Sequence, residues 1–383
     1  MQRDRPDLGD HSAGRVGDQE IPRSSGGHRM DVMIIAEAGV NHDGKIDQAL
    51  RLIDAAAAAG ADVVKFQTFK AAALASAVAG RAEYQIRNLG GTESQLDMLR
   101  RLELSEDDHF RLRDHCRQAG IGFLSSPFDR LSLEFLIDRL GLDTIKLGSG
   151  ELTNGPLLLQ AGASGRNIIL STGMADLAET AQAVGVIGCG ANGVLAPTES
   201  EIQAAAHCPS PDLIRRLTLL HCTTEYPAPM DQVNLRAMET LRQTFGLRVG
   251  FSDHTPGITA AVAAAALGAS VIEKHLTLDR GLPGPDHKAS LEPLEMKALV
   301  DSVRQVTAAL GDGRKVPMPS ERGNADIARK SLAVAAPIGR GEVFTVDNLT
   351  AMRPGTGISP MQYWSWIGRT AERDYHVGDL VQP

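Results

Sequence analysis

From Met33 to Thr277, short β-branched runs alternate with Ala- and Leu-rich stretches of helical period. Strands are expected at Met33–Ala38, Val63–Gln67, Gly122–Ser126, Thr144–Ser149, Asn167–Ser171, Leu217–Thr223, Arg248–His254 and Ser270–Thr277. Helices are expected over Ile46–Ala59, from Ser105 to Gln118, and near Leu131–Leu140, Leu177–Val186, Asn234–Phe245, Ile258–Leu267 and Pro293–Leu310. Gly60 offers a left-handed C-cap, and Ser105-Glu-Asp-Asp108 an N-cap with acidic first-turn residues. Eight such units in a row predict an α/β fold, a parallel (β/α)8 TIM barrel with right-handed crossovers. Nearly every run ends in a polar or charged residue. In a parallel barrel all those ends meet in one mouth, which predicts an enzyme.

The pattern also sets expected boundaries. Residues 1–30, rich in Arg, Asp, Gly and Ser, read as a disordered extension, with Met30 as a second candidate start. The barrel is expected over 31–310, interrupted by a surface insertion at about 188–211. A Gly/Pro/charged linker over 311–328 then leads to a small module at 329–383. The long Thr68–Leu104 connection falls on the face where barrel loops carry function.

Composition narrows the function classes. The net charge of −8, without a long basic run, argues against nucleic acid or an anionic membrane surface, so an anionic substrate needs a local cationic pocket. No run approaches the roughly 18 apolar residues of a membrane span. Cys116, Cys189, Cys208 and Cys222 lack C-x-x-C spacing and read as free thiols of a cytoplasmic protein. His207-Cys208, an adjacent pair without further spaced ligands, makes no metal site.

The candidate chemistry gathers at the strand ends. His254 and His275 close consecutive runs and are placed to hold one divalent ion, with water and substrate completing its shell. Such a weakly held ion reads as manganese first, with iron, cobalt or magnesium as alternatives. Alternation gives Glu273 and His275, Ser252 and His254, and Lys65 and Gln67 common directions. Glu37, Lys65, Lys146, Glu151, Asp253, Glu273, Lys274 and His275 all lie at or just past strand ends, where buried charge is costly unless paired or metal-bound. Lys65, Lys146, Ser126, Ser149 and Ser171 read as a phosphate or carboxylate cradle, with Gly148, Gly150 and Gly173 admitting backbone amides.

Several of these segments resemble the sialic acid (N-acetylneuraminate) synthase family. They are Ile34-Ile-Ala-Glu-Ala-Gly-Val-Asn-His-Asp-Gly44, Val64-Lys-Phe-Gln-Thr68, Ile145-Lys-Leu-Gly-Ser-Gly-Glu151, Leu170-Ser-Thr-Gly-Met174, Leu220-His-Cys-Thr-Thr-Glu-Tyr-Pro227, Phe251-Ser-Asp-His-Thr255 and Pro283-Gly-Pro-Asp286. Ile338-Gly-Arg-Gly-Glu342 and Arg353-Pro-Gly-Thr-Gly-Ile358 resemble its antifreeze-like (SAF) C-terminal domain. The resemblance implies condensation of phosphoenolpyruvate with N-acetylmannosamine or a related acetamido sugar, giving N-acetylneuraminate or a related nonulosonic acid and phosphate. A 2,4-diacetamido-2,4,6-trideoxy sugar, giving legionaminate or pseudaminate, is the alternative acceptor. The resemblance gives the metal to His254 and His275. It gives phosphoenolpyruvate to Lys65, Ser126, Lys146, Ser149, Ser171 and Ser252. Glu37 falls near a metal-bound water, and Glu151 matches the acid/base. Gln67, Tyr226 and Asp286 match sugar contacts, and Thr224 stands where some members carry Asn. Arg353 matches an arginine that reaches sugar in the partner subunit, implying a domain-swapped homodimer.

Other classes predict other features. A Schiff-base aldolase would use Lys65, Lys146 or Lys274, but three lysines beside an anion cradle fit charge neutralisation better. A phosphoenolpyruvate-using barrel acting on a phosphorylated sugar is a further relative, which the C-terminal module argues against. Ice binding by that module conflicts with Arg340, Glu342, Arg353, Arg369, Glu372, Arg373 and Asp374. Tyr363, Trp364 and Trp366 read as core or interface packing.

Overall fold

A computed structural model of the chain describes residues 32–74, 80–81, 83, 85–86 and 93–382. The extension expected over 1–30 lies outside the described residues, as does part of the loop between Thr68 and Leu104. The chain forms two compact units divided after Gly311.

The first unit is built on eight strands: β1 (Met33–Gly39), β2 (Val63–Thr68), β3 (Gly122–Pro127), β4 (Thr144–Leu147), β5 (Asn167–Ser171), β6 (Leu217–Cys222), β7 (Arg248–Asp253) and β8 (Val271–His275). All pair in parallel, in the order β3-β2-β1-β8-β7-β6-β5-β4. The first strand lies beside the last, and β3 and β4 stand side by side at the seam, so the sheet curls into a nearly closed barrel.

Parity decides what fills it. Ile34, Val64, Phe66, Ile145, Leu170, Leu219, Phe251 and Ile272 face the surrounding helices. The opposite parity, Ile35, Val63, Leu124, Ile169, Leu220 and Val271, forms a separate apolar layer inside. Two residues further along the same strands stand Glu37, Lys65, Ser126, Ser171, Cys222 and Glu273, with Gln67 and His275 two beyond that. The interior is therefore apolar below and polar at the strand ends. Gly250 is required here, since a Cβ would lie 2.4 Å from Val271 O and 2.7 Å from a Leu220 methyl.

The helices follow their predicted caps. Gly60 ends Ile46–Ala59 with φ 82°, and Ser105 with Asp108 forms a capping box ahead of Glu106–Ala119. The region expected as an insertion at 188–211 is different in kind. Helix Leu177–Ala191 runs through its start, and a second helix, Glu199–His207, packs on it. The reason lies in the glycines: a Cβ on Gly185 would meet Ile202 O at 2.2 Å, so the two backbones are in direct contact. His207 Nδ1 contacts Gln203 O on the same helix, and Cys208 is exposed.

The second unit contains a helix, Arg322–Ala328, inside the stretch expected as linker. It continues with an antiparallel pair, β9 (Ser331–Val334) and β10 (Leu349–Met352), over a core of Leu332, Val334, Ile338, Phe344, Leu349, Trp366, Ala371, Tyr375 and Val381. Trp366 packs edge-on against Phe344 as expected, whereas Trp364 is 75% exposed and belongs to no core. No helix among the described residues is long and apolar enough to cross a membrane.

Candidate active site

The strand-end layer is a closed ionic cluster. Lys65 Nζ on β2 lies 2.8 Å from Glu37 Oε2 on β1 and 3.7 Å from Glu273 Oε2 on β8, and donates to Ser126 Oγ at 3.2 Å. Lys146 Nζ on β4 donates to Ser171 Oγ at 2.8 Å and sits 3.5 Å from Glu273 Oε1. Ser252 Oγ on β7 donates to that same Oε1 at 3.0 Å. Glu273 thus ties two lysines from separated strands into one group. Gln67 Nε2 donates to Glu37 Oε1 at 3.4 Å, where the β1–β2 register shifts between Glu37 and Gly39.

Beside this group the backbone closes in. Gly173 N donates to Ser149 Oγ at 3.0 Å, and a Cβ on Gly173 would lie 2.2 Å from Thr224 Oγ1 and 2.8 Å from both Ser149 Oγ and Cys222 Sγ. Thr224 Oγ1 is itself buried without a hydrogen bond. A buried hydroxyl left in that state beside Ser149 and Gly173 is available to a ligand.

Burial and neighbours set the charges. Burial raises Glu37 to about 7, with Lys65 opposing the shift. Glu273 is equally buried, but Lys146, Lys65 and the Ser252 hydroxyl outweigh that and hold it below the usual carboxylate range. Burial opposes the charge on Lys65 too, yet its two carboxylates win and raise its pKa, whereas at Lys146 burial wins and lowers it. Glu151, in the short turn Ser149–Glu151 after β4, is raised by burial, partly offset by Asn154 Nδ2 donating to its Oε2 at 2.7 Å.

Next to the cluster stand His254 and His275, their ring centroids 5.5 Å apart, with the Tyr226 ring 4.2 Å from the first and 5.6 Å from the second. Burial lowers His254 to about 4 and His275 well below the ordinary value, so both rings are neutral near pH 7. His254 Nδ1 lies 2.7 Å from Thr223 O; a carbonyl only accepts, so Nδ1 carries the hydrogen and Nε2 keeps its lone pair. His275 Nδ1 is buried with no hydrogen-bond partner. Two neutral imidazoles, one with its tautomer fixed, fit a divalent ion. No group of three or more His, Cys, Asp or Glu among the described residues is arranged to hold a metal, so such an ion would take its remaining ligands from water or substrate.

The model of the NeuB family matches residues 52–315, more than half of the chain. The chain belongs to the NeuB family. The N,N'-diacetyllegionaminic acid synthase of Campylobacter jejuni is 46% identical over 350 residues, covering 91% of this chain and 98% of the relative. The synthase of the same name from Legionella pneumophila is 41% identical over 355 residues, covering 93% and 94%. Among solved structures, the N-acetylneuraminic acid (sialic acid) synthetase of Leptospira borgpetersenii, in complex with citrate, aligns with a TM-score of 0.61 at 32% identity, covering 76% of this chain and 90% of that one.

Within this NeuB-family barrel the structure gathers Glu37, Lys65, Gln67, Ser126, Lys146, Ser171 and Ser252 around Glu273, places Ser149 and Thr224 together at Gly173, and sets the Tyr226 ring tilted against His254 and edge-on to His275. Asp286, in the loop after β8, is buried, and burial pushes it up to about 6. Arg353 lies in the second unit, where its Nε donates to Ala328 O. Lys274 and Asp253 are corrections. They share the parity of Ile272 and Phe251, face the helices, and pair with each other at 2.9 Å, both side chains fully buried. Only two of the three strand-end lysines therefore belong to the anion cradle. Sequence reasoning assigned no role to Glu273, the hub of the cluster, or to Cys222, whose Sγ lies 3.1 Å from Ser149 Oγ. The signal for Glu273 was its spacing of two from His275.

Proposed function

We propose that the chain condenses phosphoenolpyruvate with an acetamido sugar to give a nonulosonic acid and inorganic phosphate. The observation that carries this reading is the Lys65–Lys146–serine nest beside two neutral histidines. A phosphate and a carboxylate require cations and directed hydroxyls, and an aldehyde acceptor requires an electrophilic partner. Lys65, Lys146, Ser126, Ser149, Ser171 and Ser252 hold the two anionic groups of phosphoenolpyruvate. A divalent ion, manganese first with magnesium or cobalt as alternatives, would be held by His254 and His275 and, when bound, supplies Lewis acidity at the sugar aldehyde.

The chain's own groups then handle protons. The enol carbon forms the new bond to the aldehyde carbon, and Glu151, whose carboxyl burial raises above its ordinary pKa, serves as the acid that gives a proton to the oxygen that becomes a hydroxyl. Positive charge is left on the carbon bearing phosphate, beside the ionised Glu273. Water adds there, and Glu37 takes its proton. Phosphate then leaves with its bonding electron pair and takes the proton of the added hydroxyl, whose oxygen becomes the keto group. Gln67, Thr224, Tyr226 and Asp286 hold the sugar.

The sugar that fits best is a 2,4-diacetamido-2,4,6-trideoxyhexose, giving a legionaminate. The support is the higher identity to the two legionaminic acid synthases than to the sialic acid synthetase of known structure. N-acetylmannosamine, giving N-acetylneuraminate, is second. The test is phosphate release from phosphoenolpyruvate with manganese and each sugar. Release with neither, above an enzyme-free control, ends the reading; faster release with N-acetylmannosamine reverses the order.

The reading extends to the second unit as a cytoplasmic, domain-swapped homodimer in which an antiparallel SAF-type module supplies Arg353 to the partner's sugar. Glu151→Gln is expected to lose about 10²-fold in turnover. Mixing it after subunit exchange with Arg353→Ala should restore about a quarter of wild-type activity, because mixed dimers carry one site with both residues intact. No recovery on mixing would place Arg353 in its own subunit's site or in none.

A further inference from the structure

We propose that Asp43, His287 and Thr277 form a relay that positions Asp286 against the acceptor sugar, an inference that rests on the reading of the site given above. Asp286 sits one residue before His287, a fully buried imidazole in the loop that follows β8. His287 Nδ1 lies 2.7 Å from Thr277 Oγ1, and Nε2 faces both carboxylate oxygens of Asp43 at 3.3 and 3.4 Å. Thr277 Oγ1 gives its own hydrogen to Asp279 O, so it accepts from His287 Nδ1, and because the Asp43 carboxylate only accepts, Nε2 pairs with it when that nitrogen carries a proton as well, as in the imidazolium.

The three residues come from three segments that each carry part of the site. Thr277 is two residues past His275. Asp43 follows β1, which carries Glu37, and it stands in the left-handed region at φ 52°, a conformation that costs free energy in a residue with a side chain. The loop chain then closes directly over the pair. A Cβ on Gly284 would lie 2.5 Å from His287 Cδ2 and 2.7 Å from Asp43 Oδ1, so only glycine lets the backbone pass.

A second tether reaches Asp286 itself. Asn41 Nδ2 donates to Ser290 Oγ and to Leu276 O, both at 2.9 Å, and Ser290 Oγ donates to Asp286 O at 2.7 Å. Asp286 is thus fastened through its own carbonyl and through its neighbour's ring. Its side chain is 6% exposed residue surface, buried near enough to Lys65 to sense that charge. A carboxylate held this firmly beside the nest has its direction set before sugar arrives, and loosening it weakens sugar binding while leaving phosphoenolpyruvate in place.

The experiment is steady-state kinetics of the manganese-loaded full chain, varying phosphoenolpyruvate and the acetamido sugar in turn. Thr277→Val keeps the shape and removes the hydroxyl; it should raise KM for the sugar about tenfold, with KM for phosphoenolpyruvate within about twofold. Thr277→Ser, which returns the hydroxyl, should restore the sugar KM. Asp43→Asn reaches the relay from its other end and should give the same split, which keeps the test decisive if Thr277→Val fails to fold. An unchanged sugar KM in an active protein overturns the relay alone, and so does an equal rise in both KM values. A wild-type protein that releases no phosphate with any acetamido sugar overturns the functional reading together with the relay.

Discussion

The last residues of β7 and β8 face two ways, and the two sides are finished differently. On the helix side Lys274 Nζ donates to Asp253 Oδ2 and to Thr255 O, while Asp253 Oδ1 accepts from Thr255 N and Oγ1, both at 2.8 Å. Each charge there has its partner within the chain. On the barrel side Glu273 Oε2 makes no hydrogen bond and meets Lys65 only at 3.7 Å, and His275 Nδ1 and Thr224 Oγ1 are buried without one. Burial is equally deep on both sides, so depth does not separate a structural charge from a working one. Satisfaction does: the outer pair is complete, and the inner set is left with buried polar atoms that have no hydrogen-bond partner.

The largest expected effect breaks the outer side. Lys274→Met strands the Asp253 carboxylate in an apolar layer, and removing one member of a buried pair costs about 3–5 kcal/mol. Thermal melting should show a drop on the order of 10 °C. Adding Asp253→Leu removes the stranded charge and should recover most of it. If the single variant kept its stability and lost turnover instead, the two faces would not be separate systems.

The inner side should respond in the opposite way. Lys146→Met removes one cation of the nest and is expected to cut phosphate release by about 10²–10³-fold. Melting should change far less than for Lys274→Met, because Glu273 keeps Lys65 and Ser252. A loss of stability matching that of Lys274→Met, with turnover intact, would make the inner cluster structural and the contrast empty.

That contrast marks where sequence reading succeeds and where it stops. The barrel was legible because the period of two and the period of 3.6 alternate cleanly from Met33 onward, and because the strand ends are polar in nearly every unit. Parity was legible as well: Glu273 and His275 share a side, so Lys274 must take the other. Treating every strand-end charge as one set hid that consequence. Glu273 as a hub was not legible, because nothing local shows that lysines 81 residues apart in sequence (Lys65 and Lys146) converge on one carboxylate. The helix expected near Leu177–Val186 runs on to Ala191, into the stretch at about 188–211 expected as a surface insertion, and the glycines that signal turns in the sequence there permit backbone contact instead. The Asp43–His287–Thr277 relay escaped because its members lie up to 244 residues apart and each is an ordinary loop polar residue taken alone.

The smallest expected effect concerns pH and sharpens the same contrast inside the cluster. Glu37 must be ionised to take a proton from water, and burial holds it near 7, so kcat/KM for phosphoenolpyruvate should fall about tenfold per pH unit below about 7. Its effect on stability has the other sign. The folded pKa lies above the usual 4.5, so the folded chain keeps a proton that the unfolded chain releases, and this contribution declines as pH rises from 4.5 to about 7. Glu273 is shifted downward, so its stabilisation is complete above 4.5 and is lost only as pH falls toward its folded pKa, leaving the higher window to Glu37. Between about pH 5 and 7, then, the Tm of the wild type should fall relative to that of Glu37→Gln while its activity climbs. A kcat/KM that stays flat across that window would take Glu37 out of proton transfer and leave it, like Asp253, a partner for a lysine and nothing more.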